Sequence, residues 1–135
     1  MTEGVAHGVS SEAMSCRANF SAAGRRRRRA IALALGFVSV GVWVGLIVSE
    51  ASAWTCFLVA VPAAATAVVG LQVRRHTCLA HAAAGTFEHD DLSATKVDDA
   101  FAEASRRVAR TIYRDGFGIG VVAGVAAFAS AWVLP

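Results

Sequence analysis

The chain has 135 residues, 56% of them hydrophobic and 17% charged, with a formal net charge of +3. Soluble domains run about 45–50% apolar and about 25% charged, so this composition excludes an ordinary soluble domain, and the length holds one domain at most. Three cysteines among 135 residues provide no disulfide framework of the kind that staples small secreted folds.

Residues 1–29 open with MTEGVAHGVSSEAMSCRANFSAA, a stretch of small and polar residues with no sustained period. It reads as a flexible basic tail ending in Arg25, Arg26, Arg27, Arg28 and Arg29. Glu3 and Glu12 argue against a mitochondrial presequence, because such signals avoid acids. Residues 30–49 and 54–73 then form two charge-free runs of 20 residues each, and residues 116–134 a third of 19. A bilayer core about 30 Å thick needs about 20 residues of helix. The pattern predicts three transmembrane helices, the first two a tight antiparallel hairpin (residues 30–73) joined by about four residues. Pro62 should free a carbonyl and kink the second span.

The cations assign the topology. All 13 Lys and Arg lie in residues 1–29 (six) or 74–115 (seven), and the other connections hold none. Three spans place both segments on one side, which is the N-in, C-out orientation of the positive-inside rule. Trp54 and Trp132 would then anchor the outer interface and Tyr113 the inner one. Arg25–Arg29, Arg74 and Arg75 thus read as topology markers that meet anionic lipid headgroups. Ala51-Ser52-Ala53 before Trp54 imitates an export cleavage site, but an apolar run of 20 residues exceeds the ~7–15 of a signal peptide. No aromatics interleave the arginines and no recognition motif follows, so no specific nucleic acid is expected.

In the inner-side segment, residues 74–115, the chain breaks around Gly85, and Glu88-His89-Asp90-Asp91 reads as a solvated acidic cluster. An amphipathic helix is expected over about residues 95–114, with Thr95 and Asp98 as a capping pair. Val97, Phe101, Ala104, Val108 and Ile112 form its apolar stripe, free to lie on the membrane surface or pair with a partner helix. Asp115-Gly116 is a predicted hinge into the third span, residues 116–135. The fold class is therefore an all-α integral membrane protein.

Chemistry is sparse. The spans carry only Ser39, Thr55, Cys56, Thr66, Gln72 and Ser130, and a span without ionisable groups cannot relay protons. RRHTCLAH brings His76, Cys78 and His81 close in sequence. Cys and His suit zinc or copper(I), but no second cysteine follows at a zinc-finger spacing, so no metal site is assigned. No catalytic residue and no cofactor are expected. Small residues at intervals of four, Gly41-Gly45-Ser49 in the first span and Gly116-Gly120-Gly124 in the third, let helices approach closely in lipid. The third-span face is the one expected to be free for an outside contact. The function expected is a non-enzymatic accessory or assembly subunit of a larger membrane complex, in contact with other subunits or with itself. A self-assembling, holin-like or toxin-like pore former is the alternative. The location expected is the bacterial inner membrane, with an organellar membrane second.

Overall fold

The computed structural model describes residues 18–133; Cys16, Arg17 and the rest of the expected tail up to residue 17 lie outside the described residues. The elements in chain order are α1 (Ala22–Val48), α2 (Ala53–Arg74), α3 (Leu79–Ala84), strands β1 (Thr86–Glu88) and β2 (Ala94–Lys96), and α4 (Asp99–Val133). Most of the chain is helical, and among the described residues α1, α2 and α4 are each long and apolar enough to cross a membrane. Helix α2 packs against both α1 and α4.

The arginines do not belong to a tail. Helix α1 begins at Ala22, capped by Ser21, whose Oγ accepts the Gly24 N–H at 3.2 Å. Arg25–Arg29 therefore occupy its first turns. Cations at a helix N-terminus oppose the helix dipole, and the chain compensates from elsewhere: Asp90 accepts the Ala23 N–H at 3.3 Å. In α2, a 3₁₀ turn over Phe57–Val59 precedes Pro62. A proline ring clashes with the carbonyl four residues back in a regular α-helix; here that carbonyl belongs to Leu58, inside the 3₁₀ turn. The Pro62 carbonyl accepts from Thr66 Oγ1, which also bonds Ser39 of α1 at 3.2 Å. Trp43 Nε1 donates to Ser130 Oγ at 3.1 Å and so ties α1 to α4. Around these links Cys56, Val59 and Ala127 form a small core with Trp43, Leu46, Ile47 and Ala131 against it.

Residues 74–115 depart from the all-helical expectation. Strands β1 and β2 pair antiparallel, with Thr86 opposite Lys96, Phe87 opposite Thr95 and Glu88 opposite Ala94. Because Thr95 is in a strand, the amphipathic helix starts at Asp99, and Asp98 alone caps it, accepting the Phe101 N–H at 2.8 Å. The hinge expected at Asp115-Gly116 is absent: α4 runs unbroken for 35 residues. The apolar stripe is not free either. Of its residues Phe101 and Ile112 are buried and Val97, Ala104 and Val108 half-buried; the buried face is displaced to Phe101, Ala102, Ser105, Ala109 and Ile112, with α3 packed on α4 and Gly85 brought against Ala102. Gly85 closes α3 in the left-handed region at φ 64°, where a side chain would be strained.

The two small-residue faces also exchange places. Gly116, Gly120 and Gly124 are buried on α2; a Cβ at Gly120 would come within 2.5 Å of Ala64 Cβ, and one at Gly124 within 2.8 Å of Ala60 Cβ. A β-carbon at Gly116 would overlap Val68. The third-span face expected to be open is thus closed by the chain itself, because Ala60, Ala64 and Val68 of α2 present a complementary row. At Gly41 and Gly45 a Cβ would meet nothing within 4 Å among the described residues.

Candidate functional site

The basic ends of the helices meet the β-hairpin in a polar cluster assembled from distant parts of the chain. Asn19, fully buried, accepts the Cys78 N–H on Oδ1 at 2.6 Å and donates from Nδ2 to the Cys78 carbonyl at 3.0 Å. Its own backbone N–H donates to the His76 carbonyl at 3.2 Å, and its carbonyl accepts the Glu88 N–H at 3.1 Å. Asn19 therefore clamps the start of α3 to β1. Phe20 follows as a single parallel bridge residue to Glu88, with the Arg28 guanidinium 4.5 Å above its ring, within the range of a cation–π contact.

Four side chains converge beneath this clamp. One Arg28 nitrogen lies 2.6 Å from Glu88 Oε2 and donates to Cys78 Sγ at 2.9 Å. His81 Nε2 is 3.1 Å from the same Glu88 oxygen, and His81 Nδ1 is 2.8 Å from Thr86 Oγ1. Cys78 and Glu88 are both 5% exposed. Gly24 makes room for the group, since a Cβ there would sit 3.0 Å from Glu88 Oε1. Burial by itself would raise the pKa of the Glu88 carboxyl, but the hydrogen bond and charge of Arg28, with His81 beside them, outweigh it and hold Glu88 below its ordinary 4.5. Glu88 is thus a buried carboxylate.

Cys78 Sγ, one His81 ring nitrogen and one Glu88 oxygen all lie within 4.8 Å of one another, a spacing that could hold a metal ion. Of the sequence candidates, the fold brings Cys78 and His81 together and leaves His76 out. His76 is exposed in the turn after α2, at a left-handed φ of 52°. Glu88 takes its place, although the acidic run around it reads as solvated; Asp90 and Asp91 are indeed exposed, and Glu88 is not. The other marker arginines differ in fate. Arg75 donates to Thr111 Oγ1 at 2.6 Å and pairs with Asp115, locking the end of α2 to α4, whereas Arg26, Arg27, Arg29 and Arg74 are exposed. Asn19, Gly24 and Glu88 escape sequence reasoning. The sole hint is Gly24 standing just before the arginines, where a helix start would favour almost any other residue.

No protein family matches the chain, and neither the curated proteins nor the solved structures compared with it include a match. The protein is defined by its own features: a mostly helical chain with three helices of membrane-spanning length and a knitted polar end.

Proposed function

We propose that this is an integral membrane protein, N-in and C-out in a bacterial inner membrane, serving as a non-enzymatic accessory or assembly subunit of a larger membrane complex. The observation that carries the reading is the bare small-residue face of α1. Among the described residues, no other element comes within 4 Å of a Cβ position at Gly41 or Gly45, and Ser49 is exposed beyond them. In lipid, where no hydrophobic force joins helices, such a face offers close backbone approach to another helix. The second face of this kind is already sealed against α2, which leaves α1 to meet a partner.

The orientation rests on the cations, since all of the Lys and Arg lie in the two segments at the basic end. The competing reading is a self-assembling pore. Against it stand two polar pairs tied between the helices, Ser39 to Thr66 and Trp43 to Ser130. Groups bonded to one another do not line an aqueous path.

The test is native mass spectrometry of the full chain extracted in mild detergent. A stoichiometric foreign subunit is the expected result. A homo-oligomer of defined copy number would replace this reading with the pore, and a bare monomer would overturn both.

A further inference from the structure

We propose that Cys78, His81 and Glu88 form a binding site for a borderline divalent cation of the zinc class, and that the Arg28 guanidinium holds the place of that cation between them. The donor set is one thiol, one imidazole and one carboxylate, all with ligand atoms within 4.8 Å of one another. Three such ligands with a position left open is the pattern of reactive or exchangeable zinc sites, as distinct from closed structural ones. Soft sulfur and imidazole nitrogen select zinc over magnesium or calcium.

Three further observations point the same way. The guanidinium touches both Sγ and Oε2, so a positive charge is what this spot is built to receive. Thr86 Oγ1 is placed 2.8 Å from His81 Nδ1; with Nε2 on a metal, Nδ1 carries the proton and donates it to that hydroxyl, the outer contact that orients a ligating histidine. A cavity of about 340 Å³ opens beside the cluster, lined by Arg27, Arg28, Ile31, His81, Glu88 and Leu92. It gives the cation a way in and leaves space for a water or small anion at the open position.

Binding has a defined balance. The Cys78 thiol loses its proton to solvent as the sulfur–metal bond forms, and Arg28 withdraws to the cavity without changing its charge. A divalent cation and a guanidinium then compete for one carboxylate and one thiolate, so Arg28 sets the affinity.

The experiment titrates the full chain, purified in micelles on a histidine-free tag, first with Co²⁺ and then with Zn²⁺ in competition. One Co²⁺ per chain is expected, with a thiolate-to-metal absorption band and release of about one proton. Zn²⁺ should erase the band. Cys78→Ser should abolish it and Glu88→Gln should weaken binding, while His76→Ala and Cys56→Ser leave it intact. Arg28→Met should tighten binding roughly tenfold or more, by removing the competing charge. A gain of that kind cannot come from misfolding. Absence of the band in both the native chain and Arg28→Met would overturn the proposal. So would a band that survives Cys78→Ser, or one lost in His76→Ala and indifferent to Glu88→Gln.

Discussion

Asn19 is the residue on which the polar end depends. A buried side chain that bonds both backbone groups of Cys78 does the work of a strand with one residue; its removal strands the buried Cys78 N–H, while the carbonyl keeps the Ala82 N–H at 2.9 Å. Asn19→Ala should therefore cost about 1–3 kcal/mol, read as a lower denaturant midpoint in micelles and as faster hydrogen exchange at the Cys78 and Glu88 amides. Unchanged exchange at both would mean the clamp contributes nothing. None of this is legible in the sequence. Asn19 and Cys78 are 59 residues apart, and a hydrogen-bonding amide leaves no periodicity. Glu88 is hidden for a related reason: its neighbours Asp90 and Asp91 are exposed acids, and charge runs are usually solvated, so only the approach of Arg28 and His81 reveals that one member points inward.

At the level of elements, the three long apolar helices are legible because a charge-free block is a one-dimensional pattern. Helix–helix packing is not, so equal spacing alone does not say which small-residue face seats on a neighbour. Gly116-Gly120-Gly124 and Gly41-Gly45-Ser49 have equal spacing, and only the row of Ala60, Ala64 and Val68 opposite the first distinguishes them. The contrast can be measured. Gly120→Ala forces a methyl to within 2.5 Å of Ala64 Cβ and 2.8 Å of the Ala60 carbonyl, and should destabilise the bundle by about 1–3 kcal/mol in thermal unfolding. Gly118→Ala, with nothing within 4 Å, should be neutral or slightly stabilising through helix propensity. Equal losses at both would mean that α4 does not seat on α2 through this face. The hairpin leaves no sequence pattern because three-residue strands are too short to show alternation, and Ala94–Lys96 is exposed along its whole length.

Across the whole molecule, the three apolar helices and the segregation of cations make one connected prediction. A cytoplasm-only reporter should be active on the N-terminus and silent on the C-terminus; activity at both ends would refute three spans with N-in, C-out orientation. The long reach of the Asn19 clamp has a bearing on biogenesis. Chains emerge from the ribosome at about 5–20 residues per second, so the 59 residues between Asn19 and Cys78 impose a wait of about 3–12 s before the clamp can close. Throughout that wait Glu88 has not been made, and Arg28 is without the carboxylate it pairs with in the finished fold. Under the proposed topology Arg28 would serve twice in succession, first as one of the cations that orient the first span and then as the internal counterion of Glu88 once the hairpin arrives.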